Sequence, residues 1–250
     1  MELTILGSDG AFPRAGGACS GYLLRHEGFN LLVDLGTGVF SQLQRHLPHD
    51  EVDAIVVSHE HPDHCLDLYP LYTARRFHVE PLPPLPLFAP SGVFERVAAL
   101  EDGPEREEMG RSFDVREIEP GSGFEVGPYR VSTRLLPHWV PNAGLRISVG
   151  DRVMAYTGDT GPSGEIEVIG RDADLVVSEA SWQGSREDPP PFHLTARQAA
   201  EHAHRAGAAR LLLTHFWPTL DRDTSRAEAR EVFSGEVLLA EEGAVLPVRP

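Results

Sequence analysis

The chain has no lysine at all. Its 22 basic residues are all arginine and face 38 acidic ones, for a formal net charge of −16. Such a balance argues against a broad nucleic-acid surface, because a phosphate backbone is held by accumulated positive charge. The preference for arginine carries no argument for phosphate recognition, since genomic base composition alone produces it. Cysteine is nearly absent too: Cys19 and Cys65 are too few for a disulfide framework, which fits a reducing compartment. No apolar run approaches the ~20 residues of a membrane span. The start, Met1-Glu2-Leu3-Thr4-Ile5-Leu6, lacks the basic-then-apolar pattern of a secretory leader. These absences predict a cytoplasmic protein that does not engage membranes. What is present, 250 residues at 41% hydrophobic, is enough for one domain over 1–250 with a sizeable core.

The densest chemistry lies in Ser58-His59-Glu60-His61-Pro62-Asp63-His64. It directly follows Asp53-Ala54-Ile55-Val56-Val57, whose β-branched apolar character predicts a buried strand. A strand thus delivers four potential metal ligands into a loop. In an extended segment His59 and His61 project to the same side, while Asp63 and His64, past the Pro62 bend, point to a neighbouring position. One ion cannot use all four. Imidazole with carboxylate suits zinc, manganese or iron, and paired ions sit ~3.5–4 Å apart. Cys65 could be mistaken for a ligand; at the start of a helix behind the cluster it reads instead as a small buried residue.

The H-x-H-x-D-H pattern resembles the first metal motif of the metallo-β-lactamase superfamily. That family takes a further His, Asp and His, each at a strand end, and all three occur in order: 131–137 lead to His138, 152–158 to Asp159 and 210–214 to His215. The resemblance covers nearly the whole chain. It implies that His59, His61 and His138 hold one metal, that Asp63, His64 and His215 hold a second, and that Asp159 bridges them. Two divalent ions are expected, zinc first and manganese second.

Elsewhere, strands are predicted at 3–7, 21–25 and 29–33, the last two joined by a Glu27-Gly28 turn. Helices are predicted at 39–47, 65–77, 92–100, 163–171, 195–206 and 224–233, and strands at 154–159, 174–178, 209–215 and 237–240. The acidic stretch 101–110 reads as solvated, and 113–149 as short strands opening a second sheet. Asp34 is placed to cap the next helix and to support the metal loop from behind. This alternation suits an α/β fold, the αββα four-layer sandwich that the resemblance implies, with two mixed sheets face to face and helices outside.

A second constellation lies in Ser178-Glu179-Ala180-Ser181 and Phe192-His193-Leu194-Thr195-Ala196-Arg197-Gln198. Thr195 and Gln198 form a T-x-x-Q capping box, which puts His193 at a helix N-terminus that favours an anion. A hydrogen bond from Glu179 would keep His193 protonated near neutrality, as a general acid needs. The Glu-Ala-Ser and His-Leu-Thr-Ala pair resembles the phosphodiesterase branch of the superfamily, which contains the transfer-RNA 3′-end endonucleases (ribonuclease Z-like). It implies that Glu179 and His193 act on the scissile phosphate; with the metal motif, Asp63 is expected to be catalytic too, orienting the attacking hydroxide and taking its proton. The other six histidines (His26, His46, His49, His78, His202 and His204) lack ligand spacing, and His202 and His204 are expected on an exposed helix face.

The transfer-RNA enzymes of that branch insert a long RNA-gripping arm between the ligand His and the bridging Asp. Here twenty residues separate His138 from Asp159, room for about two strands. The expected substrate is therefore a small phosphodiester such as a cyclic nucleotide, with nucleic acid not expected as a partner and a homodimer as the assembly. Three alternatives remain: a transfer-RNA 3′-endonuclease, a thiolester or lactone hydrolase on the same metals, and a non-catalytic scaffold. An oxygen-reducing di-iron protein is disfavoured, since that branch has Glu where this chain has His61.

Overall fold

The computed structural model describes residues 1–119, 121–184 and 192–249. A first sheet contains β1 (Glu2–Gly7), β2 (Gly21–His26), β3 (Phe29–Leu35), β4 (Ala54–Val56), β5 (Leu85–Ala89) and β6 (Phe113–Glu117). A second contains β7 (Gly123–Val126), β8 (Tyr129–Leu136), β9 (Asn142–Val149), β10 (Arg152–Tyr156), β11 (Leu175–Glu179), β12 (Arg210–Thr214) and β13 (Glu236–Leu239). The last strand, β14 (Val245–Pro247), returns to the first sheet and pairs antiparallel with β1. Each sheet then has seven strands, ordered β14-β1-β2-β3-β4-β5-β6 and β13-β12-β11-β10-β9-β8-β7. In both, one half is antiparallel and the other parallel, the change falling at β3 and at β10.

The two-residue period of a strand sorts its side chains to opposite faces, and here both faces are buried. Along β3, Leu31 and Val33 enter the core between the sheets, packing in one cluster with Val131, Leu145, Tyr156 and Val177 of the opposite sheet. Leu32 and Leu35 point the other way, under the helices. Those outer helices are α1 (Val39–Leu43), α3 (Leu68–Arg76), α4 (Val93–Ala98) and α5 (Gly103–Ser112). On the far side, α6 (Gly164–Gly170), α7 (Ala196–Arg205) and α8 (Arg222–Arg230) cover the second sheet, with Ala199 and Ala203 of α7 in one cluster with Leu211 and Leu213. Each fully buried Leu or Val contributes ~1.5–3 kcal/mol relative to exposure. The result is the four-layer αββα sandwich with two mixed sheets. Among the described residues no helix is long and apolar enough to cross a membrane.

Several local expectations change. The β2–β3 turn has left-handed backbone at Glu27 (φ 49°) and Gly28 (φ 84°), as a tight hairpin requires. The helix expected at 65–77 is split into α2 (Pro62–Cys65) and α3, and the one at 39–47 ends at Leu43. The acidic stretch is not merely solvated coil. It forms α5, which starts with a proline in its first turn and buries Met109 alone. Strand β6, expected to open the second sheet, pairs parallel with β5 in the first, because the β5–α4–α5 connection crosses over and returns to the same sheet.

Candidate metal centre

Five strands deliver polar side chains to one cleft from their carboxyl ends, the place where open α/β sheets gather their sites. His59 follows β4, His138 follows β8, Asp159 follows β10, His215 follows β12, and Glu179 ends β11. Between His59 and His64 the chain bends at Pro62 into α2, so that Asp63 and His64 present their ligand atoms to a second position beside that of His59 and His61, the His64 ring lying 4.1 Å from that of His59. Gly36 makes that bend possible: a Cβ there would stand 1.9 Å from the Asp63 carbonyl oxygen.

The seven candidate ligands fall into two groups. In the first, His59 Nε2 and His138 Nε2 lie 3.1 Å and 3.0 Å from His61 Nδ1. Asp159 Oδ2 is 3.8 Å from both Nε2 atoms. In the second, His64 Nε2 and His215 Nε2 lie 3.2 Å and 3.3 Å from Asp159 Oδ1. Asp63 Oδ2 is 3.2 Å from His215 Nε2. The two oxygens of Asp159 thus face different groups. Among the described residues these sets, His59, His61, His138 and Asp159 on one side and Asp63, His64, Asp159 and His215 on the other, each have their ligand atoms within 4.8 Å of one another.

Surrounding groups decide where the protons sit. His64 Nδ1 donates to Asp34 Oδ2 at 2.7 Å and His138 Nδ1 to the Phe192 carbonyl at 3.1 Å. Ser58 and Ser181 each donate their hydroxyl hydrogen to a carboxylate, Asp34 and Glu179. Their oxygens are left to accept from His59 Nδ1 and His215 Nδ1, at 3.0 Å and 2.8 Å. Four Nε2 lone pairs therefore converge inward, an arrangement that repels itself unless cations lie among them. In addition, His64 Nε2 and Asp159 Oδ1 are buried and make no hydrogen bond of acceptable geometry. This donor set fits divalent metal ions.

Electrostatics agree. Burial holds His59 well below its ordinary pKa, lowers His61, and brings His138 down to about 4, so these imidazoles are neutral as ligands must be. For His64, burial pulls down, but Asp159, Asp63 and Asp34 together outweigh it and raise the pKa well above the usual value, so these carboxylates favour a cation on Nε2, a proton where no ion is bound and a metal ion in its place when one is. Burial would raise Asp63 and Asp159, yet the neighbouring histidines win and hold both below the ordinary carboxylate range.

Sequence reasoning placed Asp34 behind the loop but also allowed it to cap α1. Its carboxylate accepts instead from Ser58 N–H and Oγ, His64 and Tyr156 OH at 2.7–2.8 Å, and α1 has Gly38 at its N-cap with no side-chain cap. Ser58, Ser181, Tyr156 and the Ala11 N–H, which donates to Asp63 Oδ2 at 2.8 Å, were not foreseen. Asp34 and His215 hold left-handed backbone (φ 57° and 53°), a cost that functional sites commonly carry.

Beside both groups stands His193, its ring 5.2 Å from that of His138 and 5.6 Å from that of His215. Nδ1 lies 3.1 Å from Glu179 Oε1, and the fully buried Glu179 also accepts from Ser181 Oγ and Leu194 N–H. Burial pulls the His193 pKa down, but the charge and hydrogen bond of Glu179 prevail and raise it to about 9. The capping box is present. The helix terminus itself is not the anion site expected: the N–H groups of Leu194, Thr195, Ala196 and Gln198 are already taken by Glu179, Gln198, Trp182 and Thr195. The positive charge comes from His193. Trp139, also unforeseen, is 62% exposed and lies 4.7 Å from Phe192 and 5.1 Å from His138, ring to ring.

The remaining histidines behave differently from one another. His202 is buried rather than exposed, bonded to Glu167 at 3.0 Å, while His204 is exposed. His49 and His78, distant in sequence, come together. Cys65 is buried outside both groups, and burial pushes its thiol up to about 12.

The fold and this cleft define a metal-dependent hydrolase class, and the comparisons agree. A family model described as "Beta-lactamase superfamily domain" matches residues 29–216. The chain belongs to the β-lactamase superfamily, among its metallo-hydrolases. It is 32% identical to the "Probable metallo-hydrolase YhfI" of Bacillus subtilis (strain 168), covering 98% of this chain and 99% of that one. The crystal structure of YhfI matches with a TM-score of 0.88 over 98% of each chain, at 31% identity. A ribonuclease Z from Kineococcus radiotolerans is 32% identical, over 100% of this chain and 96% of its own. That alignment runs to 306 positions, more than the 250 residues here, so the relative carries sequence with no counterpart. The short form of human tRNase Z matches at TM-score 0.80 and 25% identity over 100% of both chains.

Proposed function

We propose that this protein is a binuclear zinc phosphodiesterase acting on a small phosphodiester such as a cyclic nucleotide. The observation that carries the reading is His193: a largely but not fully buried imidazole, charged by Glu179 up to about pH 9, beside both ligand groups. Expelling the thiolate of a thiolester has no need of such an acid, whereas expelling an alkoxide from phosphorus does. His59, His61, His138 and Asp159 would hold one ion and Asp63, His64, Asp159 and His215 the other. The ions, when bound, supply a water acidic enough to attack phosphorus near neutral pH. Asp63, its Oδ2 fixed by the Ala11 N–H, orients that water and accepts its proton. His193, with Nδ1 tied to Glu179, donates from Nε2 to the leaving oxygen.

The exposed face of Trp139 beside Phe192 supports a substrate with a base to stack, an interaction worth ~1–3 kcal/mol. Only β9 and β10 lie between His138 and Asp159, which supports a substrate that needs no gripping arm. The kinship with ribonuclease Z and human tRNase Z favours the second reading, cleavage of precursor transfer RNA at its 3′ end.

The test is a turnover panel of bis-nitrophenyl phosphate, cyclic nucleotides, a precursor transfer RNA and a thiolester, with Asp63→Ala as control. Opening of cyclic nucleotides with the RNA intact supports the first reading, and cleavage of the RNA the second. Replacing His193 by alanine should slow a poor leaving group far more than nitrophenolate; equal losses would remove its role as acid.

A further inference from the structure

Away from the cleft, three ligand-type side chains meet where sequence spacing gave no hint. His49 and Asp50 open the short 3-10 turn His49–Glu51, and His78 follows the end of α3. One ligand atom of each lies within 4.8 Å of the others. The imidazole rings are 5.4 Å apart at 77°, and His78 Nε2 is 3.6 Å from Asp50 Oδ2.

Both rings turn a lone pair toward this point. His78 Nδ1 is 3.0 Å from the Glu80 carbonyl and 3.4 Å from the Glu80 N–H; in the tautomer that donates to the nearer carbonyl, Nε2 is free to bind. His49 is hydrogen-bonded to the backbone of Ala74, and its Nε2 is buried with no partner. A buried, unpartnered imidazole nitrogen is costly unless something occupies it. Carbonyl groups that fix the tautomer of a ligating histidine are a recurrent support of metal sites. Burial, the largest influence on His49, lowers its pKa and keeps it neutral, although Asp50 opposes this. The nearby Arg75 is drawn aside, donating to the Pro83 carbonyl at 2.6 Å. Asp50 supplies the negative charge, and the exposed position of Asp50 beside the half-buried His78 allows the small movement that brings them to bond length.

We propose that His49, Asp50 and His78 form a peripheral site for one transition-metal ion of the zinc, nickel or copper class, separate from the catalytic cleft. Two imidazoles with a carboxylate select such ions over magnesium or calcium. The ion would tie the turn before β4 to the end of α3, the helix that follows the ligand-bearing α2, and so stiffen the scaffold behind the cleft.

The experiment is metal content by mass spectrometry after dialysis of the full chain against Zn²⁺, for the parent, His78→Gln and Asp50→Asn. The expected result is one zinc equivalent fewer in His78→Gln than in the parent, with unchanged turnover of bis-nitrophenyl phosphate and a smaller zinc-induced rise in melting temperature. As a difference between proteins, the count holds whatever number of ions the cleft takes. A second probe, Cu²⁺ followed by electron paramagnetic resonance, should lose the signature of one bound imidazole in His78→Gln. Equal zinc content in parent and variants, or identical copper spectra, would overturn the site.

Discussion

Replacing Glu179 by glutamine removes one charge and leaves a side chain of nearly the same shape. In the native protein the Glu179 carboxylate raises His193 to about 9 against the pull of burial. Without it, burial remains, and the pKa should fall to the ordinary ~6.5 or below. That fall of ~2.5 units corresponds to ~3 kcal/mol of lost charge stabilisation. At pH 8 the protonated fraction of His193 would drop by roughly 30-fold, while at pH 5.5 it would hardly change. Turnover of a cyclic nucleotide measured from pH 5.5 to 10 should therefore show its basic limb moving from near 9 to 6.5 or lower. Nitrophenyl esters, whose leaving group needs no proton, should show little shift. Stability follows the same sign. A histidine whose pKa is raised on folding stabilises the native state fully below its unfolded value of ~6.5, and that stabilisation is lost as pH rises through about 9. Glu179→Gln should thus lower the melting temperature clearly at pH 6 and much less at pH 10. A basic limb that stays near 9 in the variant would refute the link between Glu179 and the acid.

Asp34→Asn should weaken metal binding by ~10–100-fold in equilibrium dialysis with little change in far-ultraviolet circular dichroism, because Asp34 orients His64 and, through Ser58, His59. Gly36→Ala drives a methyl into the Asp63 carbonyl; the loop must shift, and turnover should fall together with the metal content of the protein, as expected if Asp63 and His64 hold an ion. Trp139→Ala should raise KM for a cyclic nucleotide by ~10-fold or more, with kcat and a base-free phosphodiester changed little.

The sandwich and the seven-residue set could be read from the chain because both rest on local pattern. His59, His138, Asp159 and His215 each follow an apolar strand such as Ala54–Val56 or Arg210–Thr214, His61, Asp63 and His64 come with the first of them in one H-x-H-x-D-H motif, and the family resemblance of that motif pointed to the later strand ends. What could not be read depends on long-range geometry. The hydroxyls of Ser58 and Ser181, the phenol of Tyr156 and the N–H of Ala11 are ordinary groups whose role arises only when distant elements meet. Asp34 illustrates the limit: a carboxylate before Gly-Thr-Gly suits a helix cap, but four buried donors claim it first. The same competition took the α7 N-terminus, where N–H groups expected to face an anion are used by Glu179 and by the capping box. His202 failed for a related reason, since its partner Glu167 lies on another helix.

Charge gives a way to separate the two substrates without relying on the cleft. A net charge of −16 leaves little to hold a phosphate backbone, and several arginines of the segments flanking the site are already committed. Arg14 pairs with Asp9 and Glu242, Arg222 with the same Asp9, and Arg96 with Glu60, the residue between His59 and His61. A protein that grips RNA through Z phosphates loses affinity with salt at a slope of roughly −0.7Z to −0.9Z, whereas a single phosphodiester bound at metals makes no such array. We therefore expect kcat/KM for a cyclic nucleotide to change less than ~3-fold between 50 and 300 mM salt. Precursor transfer RNA, if it binds, should do so weakly and with a shallow slope. Tight RNA binding that falls steeply with salt would mean that these arginines exchange their carboxylate partners for phosphates, and the small-substrate reading would give way to the ribonuclease.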